Sequence, residues 1–239
     1  MPDGGSEPTS AEQSTTDATW AILVAAGAGE RLGLDRPKAF AALAGRPLLA
    51  ESLDRLDRCP WVDAIVVAAP TGWEEPTILL AEELAASKVV SCVTGGPTRA
   101  ESVRNALAEL SEEALVVLIH DAARPLLTDE VVERVLRPLG EGFEGAVPAV
   151  AVPDTLKRVE AGSVVETVSR DGLVGAQTPQ AFLVATLRKA FEGEVAAATD
   201  CASLVEGSGG RVAVVDGDSR LLKITTASDL ALVETLLRA

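Results

Sequence analysis

The segment LVAAGAGERLGLDRPKAF, residues 23–40, joins the end of an apolar run to a glycine-rich turn. A dinucleotide-binding fingerprint, G-x-G-x-x-G, would require glycine at position 32, where this chain has leucine. The P-loop pattern, G-x-x-x-x-G-K, would require a second glycine at position 32 or 34, and both are leucine. No acidic residue follows about 20 residues on in a clear ribose-binding context, so a dehydrogenase is excluded. The segment favours another kind of phosphate-binding loop.

The turn carries two cations at a spacing that suits a triphosphate. Glycines at 27 and 29 let backbone amides approach an anion. Arg31 offers a planar fork of donors, and Lys38, stiffened by Pro37, offers a mobile point charge. The alternative from these residues alone is a tight strand-to-helix turn with two surface cations. Because strand, turn and both cations coincide, we favour the phosphate site.

Composition limits the partners of the chain. Its 239 residues carry 21 Lys and Arg against 36 Asp and Glu, a net charge of −15. This charge disfavours nucleic acid and anionic membranes as partners, and no apolar run of about 18 residues could span a bilayer. Cations that bind a polyphosphate must therefore be gathered locally. The three cysteines have no metal-like spacing and are expected to be unpaired thiols of a cytoplasmic protein.

The order of elements predicts an α/β fold. Residues 1–18 read as an acidic, disordered tail without a secretory signal, and residues 19–239 read as one nucleotide-binding domain. Short apolar runs that alternate with helical patterns favour a Rossmann-like, mostly parallel twisted sheet with helices on both faces. Strands are predicted at 20–26, 63–70, 88–93, 115–120, 145–152 and 211–216. Helices are predicted from Pro47 at position N1, at about 99–110, 129–138 and 181–191, and from the Thr226–Asp229 capping pair onward.

Residues 153–177 interrupt this alternation. They predict a β-arm, with turns at Ala161-Gly162 and at Asp171-Gly172. A two-stranded ribbon is only marginally stable alone, so the arm must pack on something. A second copy of the chain is the natural candidate, which predicts a homodimer.

Eight stretches, in order, resemble one family of nucleotidyltransferases. The loop at 25–40 resembles the signature of sugar-phosphate and polyol-phosphate nucleotidyltransferases. With the other seven, the chain over about residues 20–238 resembles the 2-C-methyl-D-erythritol 4-phosphate cytidylyltransferases of the non-mevalonate isoprenoid pathway. The other seven are GGPTRAES (95–102), HDAARP (120–125), DTLKR (154–158), SRDGL (169–173), QTPQAF (177–182), ATDCAS (198–203) and LLKIT (221–225).

The resemblance implies a reaction and its site residues. CMP would pass from CTP to the polyol phosphate, with Mg²⁺ or another divalent cation placed at Asp121, through water. Arg31, Lys38 and Lys223 would neutralise the reacting phosphates. The nucleotide would be bound by Ala25, Ala26, Gly27, Ala28, Gly29, Arg31, Lys38, Gly95, Gly96, Arg99, Ser102 and Ala122. The acceptor would be bound by Asp121, Arg124, Thr178, Thr199 and Lys223, and by Thr155 and Arg170 of the partner's arm.

Some positions depart from the family or allow another reading. Cys201 stands where the family more often has an acid, and Leu222 where asparagine is usual beside the lysine. His120, the only histidine, is expected to be structural, because an ionised phosphate monoester can attack unaided. Two other functions stay open at this point: a cytidylyltransferase for another polyol phosphate such as ribitol 5-phosphate, and a regulatory nucleotide-binding module without turnover.

Overall fold

A twisted eight-stranded sheet forms the centre of the molecule. The computed structural model describes residues 18–27, 29, 33 and 35–238. The strands, from one edge to the other, run β12, β7, the collinear pair β10 and β11, β6, β1, β4 and β5. Neighbouring strands are parallel except where β10 and β11 contact β7 and β6. The predicted fold class is confirmed.

The elements have the following bounds. The strands are β1 Ala18–Val24, β2 Ala42–Leu43, β3 Arg46–Pro47, β4 Ala64–Ala69, β5 Val89–Thr94, β6 Ala114–Asp121, β7 Gly145–Ala151, β8 Leu156–Glu160, β9 Ser163–Val168, β10 Val174–Ala176, β11 Gln180–Leu183 and β12 Val212–Asp216. The helices are α1 Leu48–Arg58, α2 Glu74–Glu83, α3 Arg99–Leu107, α4 Asp129–Leu136, α5 Val184–Ala190, α6 Cys201–Gly207 and α7 Ala227–Arg238, and short 3₁₀ helices cover Lys38–Phe40 and Arg137–Glu141.

Alternating side chains of the sheet build two mostly aliphatic cores. In β1, Leu23 faces a core shared with α1, α2 and α4, and Ile22 faces the opposite core shared with α3, α5 and α6. Because both faces are covered, the central strands are apolar at nearly every position. A third, smaller cluster, which includes Leu48, Ile224 and Val233, packs α7 beside the first turn of α1. The polar groups at the carboxyl ends of the strands therefore stand on a rigid base.

The six predicted strands are confirmed as β1, β4, β5, β6, β7 and β12. The capping pair at the start of α7 also forms, because the Thr226 N–H donates to Asp229 Oδ2 at 2.8 Å and the Asp229 N–H donates to Thr226 Oγ1 at 3.3 Å. Two details are wrong. Pro47 is the N-cap residue of α1 and not its first helical residue. The helix predicted at 181–191 begins only at Val184, because Gln180–Leu183 pair with β6 and β7.

The β-arm forms with the predicted turns. β8 and β9 form a two-stranded antiparallel sheet, and residues 161 and 162 connect them with φ of 47° and 80°. Within the described chain this ribbon pairs with no other strand. Val159 and Val164 are 57% and 61% exposed, so the arm presents apolar side chains to solvent.

Residues 1–17, most of the predicted tail, lie outside the described residues, and Ala18 is already part of β1. The three cysteines are unpaired thiols, as predicted. Among the described helices, none combines the length and the apolar character that a membrane crossing needs.

The packing of Phe182 against its neighbours allows a test of the core. This ring is fully buried in β11, and a Cβ at Gly145 of the paired strand would lie only 2.6 Å from it. We expect Phe182→Ala to lower the free energy of unfolding by about 3–5 kcal/mol, through lost burial and the cavity left behind. Urea denaturation measures the change. Val214→Ala, at a β12 position that is 61% exposed, is the control and should shift stability by about 0.5 kcal/mol or less. Equal effects of the two changes would contradict this description of the core.

Candidate active site

A cavity of about 390 Å³ opens at the carboxyl ends of β1, β5 and β6. In open α/β sheets this edge is where ligands bind. Its walls are the segments that follow the three strands, together with side chains from the 38–39 turn and from the 221–225 segment. The described residues that line it are Val24, Ala25, Ala26, Gly27, Lys38, Ala39, Leu48, Gly96, Pro97, Thr98, Arg99, Ser102, Asp121, Ala122, Ala123 and Lys223.

The charged groups of this wall are three cations, Lys38, Arg99 and Lys223, and one acid, Asp121. The chain as a whole has a net charge of −15, so this local excess of positive charge runs against the rest of the protein. The predicted local gathering of cations is therefore present among the described residues. Such a cavity attracts phosphorylated ligands.

Two glycines let main chain approach closely at this edge. A Cβ at Gly95 would lie 2.1 Å from Ala26 Cβ, so the loops after β5 and β1 touch because this side chain is absent. Gly29 has a φ of +73°, and a Cβ there would lie 2.5 Å from Lys38 Cβ. The glycines of the sequence motif therefore bring Lys38 and the 95–98 turn against the strand end.

The 95–98 turn is fixed by its own helix. Thr98 caps α3, because its side chain accepts the Glu101 N–H while the Glu101 carboxylate accepts the Thr98 N–H. Ser102, 1% exposed, accepts the Gly96 N–H at 3.0 Å and donates to the Thr98 carbonyl at 2.9 Å. The hydrogen bonds of Ser102 therefore serve mainly to stabilise the 95–98 turn.

Asp121 is the centre of the polar network. Its Oδ1 accepts from Arg99 Nε at 2.8 Å, and its Oδ2 accepts from Lys223 Nζ at 2.7 Å. Burial alone would raise the pKa of Asp121, but the charges of Arg99 and Lys223 outweigh burial and hold that pKa below its ordinary value. The carboxylate is ionised at neutral pH and holds two cations at the strand end.

His120 supports Asp121 indirectly, through a hydrogen bond to Thr178. The carbonyl of Arg124 can only accept, so His120 Nε2, 3.1 Å away, carries the proton and donates to it. His120 Nδ1 then accepts from the Thr178 hydroxyl at 3.2 Å, and the Thr178 oxygen accepts the Asp121 N–H at 3.0 Å. Burial lowers the pKa of His120 to about 4, so the ring is neutral and structural.

A second cavity, of about 230 Å³, adjoins the first. Arg99, Asp121 and Lys223 line both cavities, so the two share a wall. The second cavity is also lined by Arg124, Ala176, Gln177, Thr178, Gln180, Thr199 and Asp200. A site in two parts, joined at a carboxylate with two cations, can hold two substrates side by side.

Comparison with known proteins identifies the family of the chain. The family model "IspD: 2-C-methyl-D-erythritol 4-phosphate cytidylyltransferase" matches residues 19–239. The chain belongs to this family. A relative from Frankia casuarinae with the same name is 44% identical over 91% of this chain and 80% of its own length. A relative from Saccharopolyspora erythraea with that name is 44% identical over 91% of this chain and 98% of its own length.

A solved structure agrees with the family model. It is described as a 4-diphosphocytidyl-2C-methyl-D-erythritol synthase, and it superposes with a TM-score of 0.79 at 35% identity. The match covers 92% of this chain and 98% of that one. The resemblance inferred from the motifs is confirmed, and the chain is a cytidylyltransferase. A regulatory module without turnover is therefore set aside.

The structure brings together most of the predicted site residues, but not all. Arg31 and Ala28 lie outside the described residues, so Arg31 stays a prediction. Thr155 and Arg170 lie on or beside the exposed β-arm and line neither cavity in this chain. Arg170 Nη1 donates to the carbonyls of Val152 and Pro153 at the base of the arm.

The two departures from the family pattern have definite surroundings. The Cys201 thiol is fully buried, 3.6 Å from Arg99 Nη1, and burial raises its pKa to about 11. A neutral thiol therefore stands beside Arg99. Leu222 packs against the small cluster under α7, and its neighbour Lys223 still reaches Asp121.

Two glutamines were missed by the sequence reasoning. Gln177 Oε1 accepts the Asp218 N–H at 3.0 Å, and its Nε2 donates to the Asp218 carbonyl at 2.9 Å. This side chain fixes the loop that leads to Lys223. Gln180, 1% exposed, lines the second cavity. Both belong to the QTPQAF motif, but amides give no charge pattern that would single them out before the fold is known.

The neutral state of His120 can be tested directly, because the chain has one histidine. Its NMR ring signals should not titrate between pH 8 and about pH 5, whereas an exposed histidine titrates near pH 6.5. The folded state resists this protonation and the unfolded chain does not, so stability should fall as pH drops from about 6.5 toward 4. The expected loss between pH 7 and pH 5 is about 2 kcal/mol. His120→Gln should remove this part of the slope, and a midpoint near pH 6.5 in the folded protein would contradict the assignment.

Proposed function

We propose that this chain transfers CMP from CTP to 2-C-methyl-D-erythritol 4-phosphate, giving 4-diphosphocytidyl-2-C-methyl-D-erythritol and pyrophosphate. The observation that carries the proposal is the pair of adjoining cavities that share Arg99, Asp121 and Lys223 in a chain of this family. The larger cavity takes the triphosphate and cytosine of CTP. The smaller one takes the polyol phosphate. The cytoplasmic location remains a prediction from the sequence.

The reaction brings two anions together. An oxygen of the acceptor phosphate attacks the α-phosphorus of CTP, the bond to the bridging oxygen breaks, and pyrophosphate leaves in line. The acceptor phosphate is already ionised, so the step needs no general base. Repulsion between the phosphates is then the barrier that the protein must lower, by positioning and charge.

The cations that line the larger cavity supply that charge. Lys38 and Lys223 enter the large cavity from different segments, and Lys38 Nζ donates to the Ile224 carbonyl at 2.8 Å. This bond ties Lys38 to the segment that carries Lys223, so the two cations keep a fixed relation. Asp121 holds Arg99 and Lys223 in place before substrate arrives, and Arg31 is assigned the same neutralising role from the motif.

The residues also suit a divalent metal ion such as Mg²⁺. Mg²⁺ is commonly held by one or two carboxylates together with substrate phosphates. Asp121 uses one contact on each carboxylate oxygen, and a carboxylate has about four acceptor positions, so it can also accept from a metal-bound water. Among the described residues no group of three or more acids, cysteines or histidines could hold a metal by itself, which leaves Asp121 and the phosphates as the donor set. A bound Mg²⁺ would neutralise charge on the leaving pyrophosphate.

The β-arm supports a homodimer in which each chain completes its partner's acceptor site. Its apolar side chains Val159 and Val164 are more than half exposed, and the ribbon has no neighbouring strand in the described chain. Burial against a second copy would stabilise it. Thr155 and Arg170 would then contact the acceptor bound in the partner.

Replacement of Lys38 tests the assignment of the reaction. Lys38→Ala should lower turnover by about 10²–10³, as expected when one preorganised charge is removed. Pyrophosphate release with CTP and 2-C-methyl-D-erythritol 4-phosphate measures it. Lys189→Ala, an exposed position on α5 that lines neither cavity, is the control and should keep wild-type turnover.

The same assay decides between acceptors. Wild-type enzyme should use 2-C-methyl-D-erythritol 4-phosphate in preference to ribitol 5-phosphate, the runner-up from the sequence. A preference for ribitol 5-phosphate would overturn the acceptor assignment, and Lys38→Ala turnover within about threefold of wild type would overturn the role of Lys38.

Mixing two inactive variants tests the dimer. If Arg170 acts in the partner's site, a dimer of one Lys38→Ala chain and one Arg170→Ala chain contains one site without either defect. Co-refolding the two at equal amounts should then restore about 25% of wild-type activity, since half of a random mixture is mixed dimer. No restoration would show that Arg170 does not act across the interface, and sedimentation of each variant checks that it dimerises.

A further inference from the structure

Three buried polar atoms lack a hydrogen-bond partner within the described chain: Arg99 Nη2, Arg124 Nε and Gln180 Oε1. All three residues line the smaller cavity. Buried polar atoms in native proteins are almost always bonded, so an unbonded atom calls for a ligand or a water. Three such atoms around one cavity indicate that the cavity is built for a polar occupant.

The orientation of the Gln180 amide is fixed by its neighbour. Its Nε2 lies 2.9 Å from Asp200 Oδ2, and a carboxylate can only accept, so the nitrogen faces Asp200 and the oxygen faces away. Asp200 is itself held, because its Oδ1 accepts the Ser203 N–H at 3.0 Å as the N-cap of α6. The start of α6 therefore fixes the position of the Asp200 carboxylate, and that carboxylate fixes the orientation of the Gln180 amide.

The three unbonded atoms require different kinds of hydrogen-bond partner. The two arginine nitrogens are donors and suit phosphate or hydroxyl oxygens. Gln180 Oε1 is an acceptor and needs a donor. An ionised phosphate alone has no hydrogen to give, whereas a polyol phosphate carries acceptors and hydroxyl donors in one molecule.

We infer that Gln180 is a specificity-determining residue, whose side-chain oxygen accepts a hydrogen bond from a hydroxyl group of the acceptor polyol phosphate. The inference rests on the proposed function and adds to it a residue that recognises a hydroxyl group on the carbon chain of the acceptor. Arg99 and Arg124 bind acceptor oxygens beside it. A substrate without the matching hydroxyl leaves Gln180 buried and unbonded, and so is rejected.

The test compares acceptors within each enzyme. Wild type and Gln180→Met, a change to an apolar side chain of similar length, are assayed with the complete acceptor and with analogues that lack each hydroxyl in turn. For wild type, loss of the contacted hydroxyl should lower kcat/KM by about 10- to 100-fold. For Gln180→Met, the complete acceptor should lose a similar factor and that analogue should be used within about threefold of the complete acceptor. The KM for CTP should stay within about twofold.

Gln177→Met is the matched control. Gln177 is the neighbouring glutamine of the same motif, but its side chain is bonded within the protein, to Asp218 and Leu221. Its loss should lower kcat through the loop that carries Lys223 and should leave the discrimination between acceptors as in wild type. The ratio of kcat/KM for two acceptors does not depend on the fraction of folded enzyme, so a variant that folds poorly still gives an answer.

The outcomes are distinct. The inference would be overturned if wild type and Gln180→Met gave the same ratio of kcat/KM between the complete acceptor and every analogue. It would also be overturned if Gln177→Met lost the discrimination between acceptors to the same extent as Gln180→Met. Absence of turnover by the wild-type enzyme with the complete acceptor would overturn the proposed function instead.

Discussion

The pairing of Asp121 with Arg99 and Lys223 is the interaction on which the site depends. A buried carboxylate is unfavourable by itself, and so is the largely buried guanidinium of Arg99. Asp121 and Arg99 offset each other at 2.8 Å, and Lys223, whose side chain is 40% exposed, adds a second cation 2.7 Å from the carboxylate. Removal of one partner from such a group leaves an uncompensated charge, which costs more than the pair contributes. The group therefore behaves as a unit, and it stands where the two cavities meet.

The sheet explains why these groups converge. β6, β1, β4 and β5 run parallel to one another, so the carboxyl ends of β1, β5 and β6 share one edge. Both faces of the sheet are packed with aliphatic side chains, so the edge is the place left for polar groups. His120, neutral and fully bonded, completes the support without taking part in proton transfer. The fold thus supplies position, and the cations supply electrostatic stabilisation.

Much of this could be predicted from the sequence, and the reasons are local. Continuous apolar runs such as residues 115–120 predict buried parallel strands, and Ala161-Gly162 predicts a tight turn. The loop that ends at Lys38 predicts a phosphate site because glycines and cations are recognisable residue by residue. The start of α5 was not predictable, because residues 180–183 have the composition of a helix and become a strand only through pairing with β6 and β7.

The polar network around Asp121 could not be predicted from the sequence either. Arg99 was assigned to the nucleotide, and in the fold its Nε bonds Asp121, 22 positions away. Gln177 and Gln180 are ordinary amides until tertiary structure gives each a different set of neighbours. Long-range partners of this kind depend on which strand ends become adjacent, and no local pattern encodes that.

The break between β10 and β11 has a consequence for how this enzyme can change. Gln177 and Thr178 interrupt one antiparallel path through the sheet, with a cis peptide bond before Pro179, and they form part of the wall of the smaller cavity. This part of the wall is therefore framework, whereas Thr199 and Asp200 belong to the loop before α6. Enzymes with loop-built pockets can alter selectivity by insertions and deletions that leave the scaffold intact. On the side formed by Gln177 and Thr178, a new acceptor would have to be accommodated by single side-chain exchanges within a packed sheet, which allows only small changes of shape there.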